Sequence, residues 1–381
     1  KTIAIDYRET APAAAARDMF LDASGNADPA KSRHSGLAVG VPGTVAGLAL
    51  VHAKYGSGRF SLADLIRPAI RLARDGIAVD DDLADSLPRA RERLARWPSS
   101  ARIFLKPDGT TLGRGDRLYQ SDLARTLEAI AEEGPRAFYE GPIAARIVES
   151  VAAAGGIMTR ADLASYRAVE REPVRGTYRG YDVVSMPPPS SGGVHLVELL
   201  NILEGFPLQD TGAGAAATLH LMIEAMKLAY ADRAVYLGDP DFVRVPVAGL
   251  TSKDYAARLR ARIDRERARP ARDVGPGKPP SGEGDNTTHF SVVDRDGNAV
   301  ANTYTLNFSY GLGLVAEGTG VLLNNELDDF AAKPDVPNAY GLTGGEANAP
   351  APRKRPLSSM SPTIVFKDGR PFLVTGSPGG S

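Results

Sequence analysis

The chain has 381 residues, 43% of them hydrophobic and 24% charged, with 45 basic against 46 acidic side chains. That length is enough for a substantial core in one large domain or two, and the composition is that of an ordinary globular protein. Balanced charge gives no global field toward nucleic acid or an anionic membrane, and the lack of cysteine excludes disulfides, Cys nucleophiles and thiolate metal sites. No apolar run approaches the roughly 20 residues that a membrane span needs.

The chain opens inside an expected strand, Lys1 to Tyr7, and stops in Gly379-Gly380-Ser381, so it reads as a fragment cut at both ends. Gly40-Val41-Pro42-Gly43-Thr44 turns into an apolar helix from Val45 to His52. Ser61 and Asp64 have the spacing of an N-terminal capping pair ahead of Leu62, Leu65, Ile66, Ala69 and Ala73, and Gly76 ends that helix. Arg89, Arg91, Arg93 and Arg96 alternate with Ala, Glu and Leu, which predicts a solvated helix face. Ser121 is the expected cap of a helix bearing Leu123, Leu127 and Ile130 and stopped at Gly134-Pro135. Pro142 starts another, closed by Gly155-Gly156, and Thr159 with Asp162 caps a short one.

Tyr181 to Met186 reads as a strand broken by Pro187-Pro188-Pro189. Ser190-Ser191-Gly192-Gly193 then makes a structural turn rather than a phosphate loop, and a helix runs from about Gly193 to Leu203. A longer helix, about Ala217 to Tyr236, is apolar on more than one face and is expected to be largely buried. Asp264 to Asn286 is charged, rich in Pro and Gly and poor in apolar residues, the signature of a mobile surface segment.

From Thr287 the pattern becomes β. Thr288 to Val293, the Asp296-Gly297 turn and Ala299 to Thr305 predict a hairpin. Thr319 to Leu323, Thr363 to Lys367 and Phe372 to Thr375 supply further strands, with Asp368-Gly369 as a turn. Helices first and antiparallel strands later predict a layered α+β protein. A threonine at the start of a buried strand, directly after a cleavable loop, suits an enzyme that cuts its own backbone to make a catalytic N-terminus. The α-amine thereby freed has an ordinary pKa of about 7.7 to 8.0 and acts as base for the hydroxyl of its own residue. On spacing alone, β-propensity explains Thr287-Thr288 equally well.

Longer motifs separate the two readings. Asp285 to Asp294 and Asn298 to Asn307, then Asn324-Asn325-Glu326-Leu327-Asp328-Asp329-Phe330, Lys354 to Pro362 and Thr375 to Ser381, follow one another in order. Upstream stand Asp6-Tyr7-Arg8-Glu9, Pro42 to Gly47 and Met186 to Gly193. Together they resemble the bacterial γ-glutamyltranspeptidases over essentially the whole chain. The resemblance implies the four-layer αββα sandwich of the N-terminal-nucleophile hydrolases, truncated at both ends. It divides the chain into a mostly helical large-subunit portion, residues 1–286, whose linker is 264–286, and a small-subunit portion, residues 287–381. The two portions come from one precursor and form a heterodimer within one domain.

The same resemblance implies the chemistry. Thr287 attacks the Asn286 carbonyl to split the chain, and its hydroxyl then attacks a γ-glutamyl amide; Thr305 hydrogen-bonds that nucleophile. Arg8 takes the substrate's α-carboxylate as a planar two-pronged donor, with Ser358 and Ser359 adding hydroxyls. Asp329, Asn307 and Glu326 hold the α-ammonium. Gly379 and Gly380 offer backbone N–H groups for an oxyanion hole. Asp328 to Gly341 forms a lid whose Tyr340 reaches Asn307. Implied substrates are glutathione and other γ-glutamyl compounds, with water or amino acids and peptides as acceptors. No cofactor or metal, no nucleic acid and no membrane partner is expected, and the location is periplasmic or secreted.

The five histidines, His34, His52, His195, His220 and His289, have no metal-ligating spacing, and His289 reads as a packed, hydrogen-bonded imidazole. No G-x-S-x-G elbow supports a Ser-His-Asp triad. Two alternatives stand beside the transferase. One is a β-lactam acylase cutting glutaryl side chains on the same scaffold; the other is a non-catalytic γ-glutamyl-binding protein. Asp329 and Asn307 argue against the first, Thr287 against the second.

Overall fold

Side-chain capping sets several of the helix starts. The computed structural model describes residues 1–275 and 288–377. Ser61 accepts from the Asp64 N–H while the Asp64 carboxylate accepts from the Ser61 N–H, so helix Leu62–Asp75 starts on a complete capping box. Thr159 and Asp162 do the same for Arg160–Ser165. Ser121 departs from expectation: it is the first residue of helix Ser121–Glu133, whose preceding residue, Gln120, makes no side-chain cap.

Three helices form the layer behind the main sheet. Gly192–Leu203 packs on Ala216–Tyr236 and Lys253–Arg260 and lies across strands β5 (Val174–Tyr178) and β6 (Tyr181–Ser185). Before these come β1 (Ala4–Asp6), the short pair β2 (Ile77–Ala78) and β3 (Arg117–Leu118), and β4 (Val169–Arg171), which pairs with β1. After them come β7 (Thr288–Val293), β8 (Ala299–Tyr304), β9 (Thr363–Lys367) and β10 (Arg370–Thr375). The main sheet runs β10-β9-β6-β5, antiparallel throughout, so two late strands complete a sheet begun before residue 190. The β7–β8 hairpin packs against β9 and β10 as a second sheet. Its turn carries Gly297 at φ +83°, and the β9–β10 turn holds Asp368 and Gly369 at φ +51° and +75°, the left-handed pair that a tight hairpin requires.

Several expectations need correction. Thr319 to Leu323 is not a strand: Gly318 and Gly320 are both left-handed, and only Val315 and Leu322 bridge there. Helix Ala216–Tyr236 buries Leu221, Ala225 and Leu228 but leaves Leu219, Met222, Ile223 and Met226 exposed, because its helical neighbours cover one face. Strand β7 is not buried either. Phe290, Val292 and Val293 remain exposed, since among the described residues β7 pairs with β8 alone and the hairpin lies against the main sheet on one side. Arg93 is no solvated charge, because its guanidinium sits 5.4 Å from the Phe308 ring centre and donates to the Ser309 carbonyl. Within Asp264 to Asn286, the described part through Gly275 is mostly exposed, as expected of a surface segment, with Val274 alone buried, against Leu259 and Ile263. The remainder of that run lies outside the described residues.

The helix layer contains one unusual polar contact. Glu198 is fully buried beside Asp232, which also accepts from Tyr255 Oη at 2.6 Å. Burial first, then the neighbouring Asp232, raises the Glu198 carboxyl far above its ordinary 4.5, so it is neutral at pH 7. The folded state therefore binds a proton that the unfolded state releases, and stability falls as pH rises above the ordinary value. Glu198→Gln cannot ionise and should flatten this dependence. Urea unfolding should find it more stable than wild type at pH 8, by about 1 to 3 kcal/mol, with the gap closing near pH 4.5. Parallel pH curves would rule out the buried acid.

Candidate functional site

Arg8 follows β1 and turns inward, 5% exposed. Its backbone is fixed at both ends: its N–H donates to Asp6 Oδ1 at 3.0 Å, and its carbonyl accepts from Tyr166 Oη at 2.9 Å. Asp6 itself is buried, pairing with Arg171 at 2.7 Å and Arg355 at 3.4 Å. The Arg8 guanidinium donates Nε to the Pro356 carbonyl at 3.1 Å, Nη1 to Glu326 Oε1 and Nη2 to Asp329 Oδ2. Three of its five N–H groups are thereby used.

Glu326 and Asp329 reach one guanidinium because they bound a single 3-10 turn, Glu326–Asp329, in which positions i and i+3 face the same way. Asp328 points elsewhere, accepting from Ser32 Oγ at 2.7 Å and Arg33 Nε at 3.1 Å. It also accepts from the Ala339 N–H at 3.0 Å, which tethers the 328–341 segment. Asn338 in that segment donates to Asp329 Oδ1 at 3.3 Å, and Tyr340 Oη donates to the Asn307 carbonyl at 2.6 Å. Asn307 is left-handed at φ +72°, a conformation asparagine tolerates, and its N–H donates to Thr305 Oγ1 at 2.9 Å. Its side-chain amide donates to the Asn325 carbonyl at 2.9 Å.

Ser358 and Ser359 follow Pro356 closely and are locked to the turn after β6. Ser358 N–H donates to the Pro189 carbonyl at 2.9 Å, and the Ser358 carbonyl accepts from both the N–H and Oγ of Ser191. Arg8, Asn307, Glu326, Asp329, Tyr340, Ser358 and Ser359 thus come together from four converging segments. Asn286, Thr287, Gly379 and Gly380 lie outside the described residues. Their described neighbours do meet: a side chain at Gly376 would collide with the ring of His289. His289 is bonded to Thr303 and Ser291, as expected for a packed imidazole.

Burial governs the electrostatics. It opposes the Arg8 charge, but Glu326, Asp329 and Glu9 outweigh it and hold the guanidinium above its ordinary range. The carboxyls bear the strain instead. Burial pushes Glu326 well above the usual carboxylate range, against the pull of Arg8, and it raises Asp329 in the same way. Glu9, 3.9 Å from Arg8 Nη1, is pushed up to about 7, again by burial. Sequence reasoning missed Glu9, whose only signal was adjacency to Arg8. It also missed Arg233, which sequence alone does not separate from the other charged residues of its helix, Glu224, Lys227 and Asp232.

The scaffold is that of the N-terminal-nucleophile hydrolases, and the α+β expectation is borne out. A cephalosporin acylase from Bacillus halodurans superposes with TM-score 0.81 at 28% identity, over 97% of this chain and 65% of that one. A γ-glutamyltranspeptidase from Helicobacter pylori superposes with TM-score 0.70 at 45% identity, over 73% and 79%. The Gamma-glutamyltranspeptidase family model matches residues 1–381, and the chain belongs to that family. The glutathione hydrolase proenzyme of Escherichia coli (strain K12) is 56% identical over 381 residues, and this chain spans 65% of its length. The Acylase ACY 1 proenzyme of Pseudomonas sp. (strain SE83) is 40% identical over 99% of this chain and 66% of that protein.

Removing Arg8 leaves three buried carboxyls without their cation, a change of the kind that costs on the order of 3 to 5 kcal/mol. Arg8→Met should lose about that much in urea unfolding at pH 8. It should lose clearly less at pH 5, where carboxyls with raised pKa values take up protons. A loss under about 1 kcal/mol, or one equal at both pH values, would show that the cluster is not held by charge.

Proposed function

We propose that the chain is the core of a self-processing γ-glutamyltransferase and glutathione hydrolase. One observation carries the reading: a buried arginine and two acidic side chains lie side by side, next to a serine pair and under Tyr340. An α-amino acid end group needs such a site, with donors for its carboxylate and acceptors for its ammonium a few ångströms apart. Two of the five Arg8 N–H groups remain for the carboxylate, and Ser358 and Ser359 add hydroxyls. Asp329, Glu326 and the Asn307 Oδ1 supply the acceptors.

In this reading the hydroxyl of Thr287 attacks the Asn286 carbonyl, the acyl group moves from nitrogen to oxygen, and hydrolysis of the ester frees the Thr287 α-amine. That amine then takes the proton of the same hydroxyl as it attacks the γ-carbonyl of the substrate. The γ-glutamyl ester so formed passes to water or to the amine of an amino acid or peptide, and the Gly379 and Gly380 N–H groups stabilise the oxyanion. Thr305 accepts from Asn307 N–H, which fixes its hydroxyl, and in this reading that hydroxyl hydrogen-bonds the nucleophile. β7 begins at Thr288 and pairs it with Tyr304, the residue before Thr305, which favours this pairing of roles. Residues 1–286 are the large portion and 287–381 the small one, joined as a heterodimer in the periplasm or outside the cell. No described helix is long and apolar enough to cross a membrane. Several relatives are named as proenzymes, in keeping with a cleaved precursor.

The acylase names among the relatives make a glutaryl substrate the second reading. A glutaryl group carries no ammonium, and the acidic pair at Arg8 would then face nothing cationic in the substrate. Full-length protein should appear in a denaturing gel as two polypeptides split between Asn286 and Thr287, and Thr287→Ala should remain one inactive chain. Normal cleavage of that variant would eliminate Thr287 as the nucleophile. Asp329→Asn should weaken a γ-glutamyl anilide about tenfold or more while changing a glutaryl anilide little, as expected for one lost charge-assisted contact. Equal losses on the two would make Asp329 a structural residue.

A further inference from the structure

Arg233 lies on helix Ala216–Tyr236 with 4% of its surface exposed. Its Nε donates to Ser191 Oγ and its Nη2 to Ser359 Oγ, each at 3.1 Å. No carboxylate within ion-pair distance belongs to it among the described residues, in contrast to Arg8, which meets Glu326 and Asp329 directly. Asp329 and Arg8 are near enough for their charges to act on it. A buried guanidinium without its own anion is costly to keep. Among the described residues this guanidinium is thus held by two hydroxyls and by no carboxylate of its own.

The two contacts define what it does there. Ser191 Oγ, held by Arg233, donates to the Ser358 carbonyl at 2.9 Å, and Ser190 Oγ donates to the Met360 carbonyl at 2.5 Å. The turn after β6 and the 358–360 segment are thus clamped together, with Arg233 behind both. Because Arg233 donates to Ser359 Oγ, it occupies a lone pair of that oxygen and directs the Ser359 O–H away from itself. A cation on the acceptor side also makes that hydroxyl a stronger donor.

We propose that Arg233 is a positioning residue for the substrate's α-carboxylate, fixing Ser359 as a donor and supplying the uncompensated positive charge behind it. Arg8 is matched by protein carboxylates before any ligand binds, so the net attraction for an incoming anion comes from Arg233. This rests on the reading of the site as a γ-glutamyl pocket.

Calorimetric titration of the full-length protein with L-glutamate and with glutamate α-amide, which lacks the α-carboxylate charge, tests the assignment. Arg233→Met should weaken L-glutamate about thirtyfold and the α-amide by no more than about threefold. In a Ser359→Ala background the same substitution should cost about tenfold rather than thirtyfold, because the part of its effect that passes through that hydroxyl is already gone while the charge is still removed. Arg233→Lys, which keeps a charge with the wrong fork, should recover part of the selectivity and carries the test if the methionine variant does not fold. Equal weakening of both ligands, or a loss undiminished without the Ser359 hydroxyl, would overturn the assignment. Wild-type protein that binds L-glutamate but cleaves no γ-glutamyl anilide would remove the proposed activity and leave this assignment in place. Cleavage by wild type together with an unselective Arg233→Met would remove this assignment alone.

Discussion

The burial of Arg8 between Glu326 and Asp329 is the constraint around which the described structure is arranged. Taking a guanidinium and two carboxyls out of water is expensive, and their mutual attraction offsets that cost only with good geometry and satisfied remaining groups. Each condition is met by a different part of the chain. β1 and Tyr166 fix the arginine backbone, the Pro356 carbonyl takes its Nε, and a 3-10 turn sets the two acids on one side. Such a cluster is weak evidence for stability and better evidence for a site. It joins residues more than 300 positions apart in the sequence, so it holds the N-terminal segment on the late turn that carries the acids.

The cluster also explains the placement of the 328–341 segment. Asp328 faces away from Arg8 and anchors that segment through Ala339, while Asp329 accepts from Asn338. Tyr340 then closes onto the carbonyl of Asn307, whose left-handed backbone turns it toward the tyrosine. Burial keeps several of these acids above their ordinary titration range, so the site's net charge varies near neutral pH through groups such as Glu9, raised to about 7.

Local signals in the sequence were readable where one residue type has one physical use. The capping boxes at Ser61 and Thr159 and the turns at Asp296-Gly297 and Asp368-Gly369 fall where the sequence places them. Long-range consequences were not readable in the same way. The exposed face of β7 and the exposed half of helix Ala216–Tyr236 depend on which elements pack alongside, and hydrophobicity alone does not carry that information. Arg93 read as a solvent charge because helical spacing cannot reveal the Phe308 ring beneath it. The candidate site residues were named through motifs resembling those of a family, and hydrogen bonds bring Arg8, Glu326, Asp329, Asn307 and Tyr340 of that set together in space. Their direct pairing was not legible, because nothing in the sequence says that the residues assigned to opposite ends of a substrate touch each other first. Glu9 and Arg233 were missed because their meaning comes from burial.

The central claim is that this charge cluster recognises both charges of an α-amino acid end group. Competition calorimetry on the full-length protein with L-glutamate, glutarate and 4-aminobutyrate removes those charges one at a time without altering the protein. The account predicts that L-glutamate binds at least about tenfold more tightly than either analogue, since each lost charge forfeits at least one charge-assisted contact. Equal affinity for all three would contradict it.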